Sequence, residues 1–292
     1  MYRAAIMGSV LTVVLLLNAD FARAQTAEVV SASAPPAAGT SYSRTADGLT
    51  LLDERTAYMV GAKRLRLGLL SFDYGLTEQL SIGTDPPAWA ARAVVSVLLP
   101  NLHVKGAFYQ HGPVTLAGQV SGYYGFLKDN GSAAGSIVAI PLSLFASFRL
   151  HSRVWLHEEL TYLYAHAFGT GDLNAFGVKG QVAGQAMQTG TMLEWRLTRI
   201  FSILAAGRVQ LWTGRLAFSG SGSTDPNTSI NIDGTAEARV AHPWNVVGGV
   251  AFLWKHVHLL AGAGYGYYFL PGMDIPYPSL GVVPELSLSV VL

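Results

Sequence analysis

The chain has 292 residues, of which half are hydrophobic and only 13% are charged, well below the roughly 25% typical of soluble domains. It contains no cysteine, which excludes disulfide bonds, thiolate metal sites and a lipid-modified N-terminal cysteine. Its 19 basic and 18 acidic residues nearly balance. We therefore expect no nucleic-acid partner, because such a partner requires a basic excess.

The first 24 residues have the composition of a secretory signal peptide. Arg3 precedes an apolar run from Ala4 to Leu17, and Ala22-Arg23-Ala24 fits the small-x-small cleavage rule. We expect cleavage between Ala24 and Gln25. The alternative is a membrane anchor, but the run is shorter than the roughly 20 apolar residues of a spanning helix.

Residues 25–48 are rich in alanine, serine, proline and threonine. This composition predicts a flexible leader, which in an exported chain would be periplasmic. Residues 49–292 are predicted to form a single β domain, because apolar and polar residues alternate along most of this region.

The alternation is clearest at the C-terminal end. From Ser279 to Leu292, leucine and valine alternate with serine, glycine and glutamate, which is the period of a strand with one apolar face. Similar patterns predict strands at 63–74, 76–84, 101–110, 113–127, 136–150, 153–168, 180–197, 200–216, 236–254, 256–270 and 279–292.

Most of these predicted strands exceed the roughly 5–6 residues of an average soluble strand and suffice for the about 9–11 residues that cross a membrane. Aromatic residues cluster near their ends, as in the girdles of membrane barrels. The fold class is therefore predicted to be all-β, a closed antiparallel transmembrane β-barrel in the bacterial outer membrane. A secreted β-sandwich is the alternative.

The lengths of the connections predict the number of strands. Tight turns near 75–78, 111–112, 151–152, 198–199 and 255 alternate with longer connections, as periplasmic turns alternate with external loops. If the C-terminus is periplasmic, the strand at 63–74 descends, and an ascending strand must precede it. Only Leu49–Gly61 is available for that strand. This gives about twelve strands, with ten as the alternative if 49–84 folds differently.

The stretch Asp73-Tyr74-Gly75-Leu76-Thr77-Glu78-Gln79-Leu80-Ser81-Ile82-Gly83 resembles a turn found in bacterial outer-membrane transporter-like barrels, including those of aromatic-degradation pathways. Glycine permits a tight backbone there, and Thr77 with Glu78 caps the turn. The resemblance implies a transport barrel. The last strand also resembles the sorting signal of the barrel-assembly machinery, although it ends in Leu292 rather than in an aromatic residue.

Charged residues on the predicted inner faces are the main functional candidates. They can pair across the lumen or line a pore. The predicted lumen-lining residues are Lys105, Arg149, Arg196, Arg208 and Glu285, with Glu194 beside them. A proline-bracketed segment, 86–100, is predicted to form a short helix with Trp89 and Arg92. It would constrict the lumen, lie on the membrane surface, or form a thirteenth strand-like segment that changes the count.

Two histidine patterns are weaker candidates. His256 and His258 share a predicted face, but no third metal ligand can be placed. His157 and Glu159 would face the lumen, which leaves Glu158 facing lipid, where a carboxylate is tolerated best near an interface. We predict no catalytic residue, no metal and no cofactor.

The sequence thus favours a monomeric barrel that acts as a narrow channel or transporter for small solutes, and not as an enzyme. A closed structural barrel within a larger envelope complex is the alternative. A membrane lipid hydrolase comes third. The expected partners are outer-membrane lipid, the barrel-assembly machinery and such an envelope complex.

Overall fold

A computed structural model describes the following residues of the chain: 51, 55–89, 97–127, 133–173, 176–214, 216–225, 228–236, 242–269 and 276–292. Ala24, Gln25 and Arg92 lie outside them, as do the predicted signal peptide and leader. Among the described residues, no helix has the length and hydropathy needed to span a membrane.

The described residues form fifteen strands. They are β1 (Leu65–Gly68), β2 (Phe72–Gly75), β3 (Leu80–Thr84), β4 (Val97–Leu98), β5 (Asn101–His111), β6 (Val114–Leu127), β7 (Ala133–His151), β8 (Val154–Leu173), β9 (Phe176–Arg196), β10 (Phe201–Thr213), β11 (Leu216–Asp225), β12 (Thr228–Ala236), β13 (Trp244–Leu253), β14 (Val257–Phe269) and β15 (Pro276–Val291).

Twelve of these strands close into an antiparallel barrel, in the order β1-β2-β3-β5-β6-β7-β8-β9-β10-β13-β14-β15. The ring is closed by β15 against β1, where Arg66 lies opposite Val291 and Gly68 lies opposite Ser289. The other three strands lie outside the ring: β4 pairs with the end of β6, and the β11–β12 hairpin extends from β9.

The predicted turns lie together on one rim. Leu292 donates its N–H to the carbonyl of Leu65 at 2.8 Å, and Val291 donates to the carbonyl of His256. The turn at 254–256 therefore lies at the C-terminal end of the barrel. Because successive strands are antiparallel, the turns at 76–79, 112–113, 152–153 and 197–200 share this C-terminal rim.

The predicted count of twelve strands is confirmed, but two of the strand assignments that gave this count were wrong. Residues 55–61 are not a strand, and the predicted strand at 63–74 is two short strands joined by a turn at 69–71. Five successive residues, Thr56–Val60, are all buried. A strand alternates between two faces, whereas this segment is enclosed on every side. The described residues within 49–84 do fold differently, yet the ten-strand alternative is wrong.

The outer surface is an apolar belt between two aromatic levels. Trp244 and Trp254 both face outward, at opposite ends of β13. They stand ten positions apart, about 33 Å at 3.3 Å per residue, or ~25 Å across the membrane with the usual strand tilt. This matches the apolar band of an outer-membrane barrel, so the molecule is a membrane-spanning barrel of that type.

Candidate functional site in the barrel lumen

Residues 55–61, hereafter the lumen segment, cross the base of the barrel interior. Lys105 Nζ on β5 donates to the carbonyl of Thr56 at 2.6 Å, and the amide of Ala57 donates to Ser147 Oγ on β7 at 2.9 Å. The Tyr58 ring meets the His157 ring edge-on, with centroids 5.8 Å apart. Three wall strands therefore hold the segment inside the lumen.

Apolar contacts complete the base. Met59 is buried against Ala107, Ala117 and Phe145. On the opposite side, Leu51 is buried among inward side chains of four strands, namely Met192, Leu204, Ala251, Leu253 and Leu260. The described side chains of the lumen are thus packed near the C-terminal rim.

Two ion pairs lie above the lumen segment. Arg55 pairs with Glu285 of β15, which ties the start of the segment to the last strand. Arg208 Nη2 on β10 lies 2.9 Å from Glu159 Oε2 on β8, and its guanidinium stands 5.6 Å from the ring centroid of Phe269. Each pair neutralises charge in a partly desolvated setting, where an unpaired charge would be costly.

Ser147, His157 and Glu194 form a line at the base. Ser147 Oγ is 2.8 Å from His157 Nδ1, and His157 Nε2 is 3.5 Å from Glu194 Oε2. Glu194 also accepts hydrogen bonds from Arg196 and Ser202, both at 2.9 Å. Serine, histidine and carboxylate in this order resemble a catalytic triad, but Ser147 is 0% exposed beneath the lumen segment.

A second buried cluster joins the short strands to the rest of the wall. His103 on β5 lies between two carboxylates, with Nε2 2.7 Å from Asp73 Oδ1 and Nδ1 3.3 Å from Asp85 Oδ1. Asp73 also accepts from Ser71 and pairs with Arg66. The Tyr123 hydroxyl donates to Asp85. This cluster positions Asp85, where the chain leaves β3 and turns inward.

A cavity of about 110 Å³ lies above the lumen segment, between β10, β13, β14 and β15. Its polar wall contains Arg55, Arg208, Asn245 and Glu285, and its apolar wall contains Val247, Phe269 and Val283. A solute held there would meet both charged and apolar groups.

The five predicted lumen-lining residues all lie on the inner side of the barrel. Lys105 contacts the lumen segment, Arg208 and Glu285 border the cavity, and the other two lie near the C-terminal rim. Arg196 and Arg149 approach the Trp155 ring there, at 4.3 and 5.7 Å from its centroid. Their role in conduction stays a prediction.

The predicted constriction segment is described only in part. Residues 86–89 are helical, and Ala88 packs into the lumen against Leu99, Tyr123, Ala139 and Leu163. Trp89 is 44% exposed, so Ala88, and not Trp89, makes the inward contact.

His256 and His258 lie just before and at the start of β14, near the C-terminal rim. His256 Nδ1 is bound to the carbonyl of Val291 at 3.0 Å, and His258 is buried on β14. Within the described residues, no group of three or more histidine and acidic side chains could hold a metal ion.

The contacts of residues 73–83 explain why glycine, threonine and glutamate occur at positions 75, 77 and 78. Thr77 Oγ1 accepts the amide of Gln79, and Glu78 accepts the amide of Ala62. A Cβ at Gly75 would lie 1.6 Å from the carbonyl oxygen of Gly61, so this glycine is required by the close approach of the chain leaving the lumen segment, not by the turn.

Several residues of the site are not evident from the sequence pattern. Arg55 and Tyr58 were assigned to a strand, and Asp73, Asp85 and His103 were not selected. One signal was available for the lumen segment: Thr56–Val60 lacks the apolar–polar alternation of the true wall strands. Asp73, Asp85 and His103 of the second cluster are not neighbours in sequence. Only the pairing of β2, β3 and β5 brings them together.

No protein-family model matches the chain, and no curated protein matches it by sequence. The translocator domain of the autotransporter NalP from Neisseria meningitidis is similar, with 11% identity and a TM-score of 0.43 over 78% of this chain and 84% of that chain. The Pseudomonas putida toluene transporter TodX has the same identity and TM-score over 78% and 76% of the two chains. The Ralstonia pickettii toluene transporter TbuX has 10% identity and a TM-score of 0.39 over 76% and 79%. The similarity is that of the fold alone.

Proposed function

We propose that this chain is a gated transport barrel for small solutes, in which the lumen segment is the gate. The observation that carries the proposal is the way the segment is held. It has no regular secondary structure, and polar contacts from Lys105, Ser147 and Glu285 fix it within the lumen. Such a segment can leave without unfolding the wall, because no ladder hydrogen bond of the barrel depends on it.

The solute path is proposed to run along the cavity and past the charged groups on the inner wall. Arg208 and Glu285 border the cavity, and Lys105 lies against the lumen segment. Arg149 and Arg196 would then meet the solute near the C-terminal rim. Fixed charges of this kind set ion selectivity in pores.

The test is conductance in planar bilayers. We expect the mature protein to be closed most of the time. The double variant Arg55→Ala/Lys105→Met removes the pair with Glu285 and the bond to Thr56, so it should give steady ohmic steps. Arg149→Ala also removes a positive charge, but Arg149 lies over Trp155 and not against the lumen segment, so this control should stay closed.

Selectivity gives a second readout in the opened variant. Adding Arg208→Glu should shift the reversal potential toward cation preference, because the path then carries a negative charge in place of a positive one. An unchanged reversal potential in an open pore would remove Arg208 from the path.

A closed structural barrel is the second candidate, favoured by the burial of the base. Ser147, His157, Glu194 and Ser202 are each at most 1% exposed, as in a solid interior. This candidate predicts silent bilayers for all variants, with insertion confirmed by heat-shifted gel mobility, and a stable envelope partner in mild detergent.

A lipid hydrolase ranks third, because a substrate cannot reach the buried Ser147. Its minimum support would be an esterase activity that His157→Ala abolishes. For each candidate we also propose that the barrel-assembly machinery recognises β15 during insertion.

A further inference from the structure

A row of uncharged polar side chains crosses the inner wall of the barrel. Thr161 on β8 lies opposite Ser143 on β7 and opposite Gln188 on β9, and Gln188 lies opposite Gln210 on β10. Each of the four is at most 7% exposed. Side chains directly opposite each other on one face of a sheet are near neighbours, so Ser143, Thr161, Gln188 and Gln210 form one continuous set, hereafter the polar row.

The polar row lies between two apolar clusters inside the lumen. Phe145 follows Ser143 by two positions on β7, nearer the C-terminal rim, and packs with Met59 of the lumen segment. Leu163 follows Thr161 by two positions on β8, farther from that rim, and packs with Ala88 of the helical residues 86–89. Polar groups at this level are therefore enclosed by apolar contacts, where an unmade hydrogen bond is costly.

Three members of the polar row are bound to other protein groups. The Ser143 and Thr161 hydroxyl oxygens are 2.8 Å apart, and Thr161 Oγ1 donates to Glu159 Oε1 at 3.1 Å, so Ser143 donates to Thr161. The side-chain amide of Gln210 donates to the hydroxyl of Thr213. These three side chains therefore have hydrogen-bond partners within the wall.

Gln188 is the exception in the polar row. Neither its amide nitrogen nor its amide oxygen has a hydrogen-bond partner among the described residues, although the side chain is only 3% exposed. Buried polar groups of proteins are nearly always paired, and the glutamine head carries donors and an acceptor side by side. It is therefore complementary to a group that offers an acceptor and a donor side by side in return.

A primary carboxamide on an apolar body meets this requirement. Its C=O and N–H can pair with both amide atoms of Gln188 at once, whereas a carboxylate offers acceptors only. A carboxylate would also bring a charge to a place where the guanidinium of Arg208 is already bound to Glu159, at 2.9 Å. Leu163 and Ala186, which lie opposite each other and pack in one apolar cluster, would contact the rest of the molecule.

We propose that Gln188 is the recognition residue of a lumen subsite for small apolar carboxamides, which it binds by a paired amide–amide contact. The cavity described above is lined by Arg208 but by no member of the polar row, so this subsite is a separate one. The proposal deepens the transport function proposed above, on which it rests for the passage of the solute. Binding does not itself require conduction, so the two can fail separately.

Equilibrium dialysis of the refolded protein in detergent tests the subsite, with protein-free micelles as the reference. Radiolabelled hexanamide should bind saturably to the unmodified chain. Gln188→Met keeps the length of the side chain but removes both amide atoms, so it should weaken binding about ten-fold or more. Gln119→Met is the matched control. Gln119 lies opposite Ser143 on β6 but donates to Ser121 at 3.0 Å, so this variant should bind like the unmodified chain. Heat-shifted gel mobility shows that each variant is folded.

A second ligand tests the pairing without any substitution in the protein. 2-Heptanone has the shape and carbonyl of hexanamide but no N–H, so it should displace hexanamide only at about ten-fold higher free concentration. Equal competition by the two compounds overturns the proposal, as does unchanged binding of hexanamide by Gln188→Met. The absence of saturable binding also overturns it and leaves Gln188 bound to water only. Binding that depends on Gln188, in a protein whose Arg55→Ala/Lys105→Met variant stays silent in bilayers, would reject transport and keep the subsite.

Discussion

At the level of single residues, the direction in which a charged side chain points decides whether its charge stabilises or destabilises the barrel. Glu158 and Glu194 lie on neighbouring strands, with Glu158 directed to the lipid and Glu194 to the lumen. Glu158 has one hydrogen bond, from Thr191 Oγ1 at 2.6 Å, and lies opposite Thr191, four positions from the outward Trp195. Four residues correspond to ~10 Å of depth, so Glu158 lies inside the apolar belt and not at the interface.

The two carboxylates should therefore respond oppositely to the same substitution. Glu158→Leu should stabilise the barrel by about 1–2 kcal/mol, because it removes a polar group from the lipid face. Glu194→Leu should destabilise it by about 3–5 kcal/mol, because it leaves Arg196, His157 and Ser202 without their acceptor. Unfolding in guanidinium with lipid vesicles measures both. If both variants changed the free energy of unfolding in the same direction, the assignment of Glu158 to the lipid face and Glu194 to the lumen would be contradicted.

At the scale of elements, the short strands β1–β3 depend on side-chain contacts as well as on their few ladder hydrogen bonds. The cluster of Asp73, Asp85 and His103 joins β2, β3 and β5. The contact between Asp73 and His103 passes directly over Gly83, where a Cβ would lie 2.4 Å from His103 Nε2 and 2.5 Å from Asp73 Oδ1. Any larger residue at this position must push the two side chains apart.

Gly83→Ala should thus destabilise the barrel by about 1–3 kcal/mol, as overpacking of a buried site usually does. Gly122→Ala on β6 is the matched control, because a Cβ there meets nothing within 4 Å. The two variants are compared by their unfolding midpoints in guanidinium. A control that loses as much stability as Gly83→Ala would show that the cluster is not the cause.

At the scale of the whole molecule, the belt fixes how the barrel sits in the membrane. Outward tryptophans mark both of its edges on one strand, with Trp244 at one end of β13 and Trp254 at the other. Between them the outer face is apolar, as a bilayer requires, while the inner face holds the buried polar networks. The turn at 69–71, between β1 and β2, lies within the same belt.

Fluorescence quenching by brominated lipids tests this placement. In single-tryptophan variants, Trp244 and Trp254 should both be quenched most by bromine near the headgroups and least by bromine at the bilayer centre. Their side chains should also be reached from opposite leaflets when only one leaflet carries the quencher. Quenching of both from the same leaflet would contradict the orientation of β13.

Local sequence patterns are sufficient to predict the strands and tight turns of the barrel wall. Alternation along β6, β7, β10 and β15 correctly predicted which side chains face lipid, and the five tight turns were predicted on one rim. Both features are local, because a strand's two faces and a two-residue turn depend on neighbours in sequence. Even the correct number of strands followed from the parity of the turns, although one assigned strand was wrong.

The contents of the lumen were decided only by the tertiary structure. Arg55 and Glu285 are 230 residues apart in sequence, and Ala57 and Ser147 are 90 apart, so no local pattern reveals their contacts. A segment that fills an interior is shaped by the cavity around it, and that cavity exists only after the ring has closed. The extent of β1 and β2 has the same origin: no local pattern in 63–74 shows that β1 pairs only with residues 289–291 of β15.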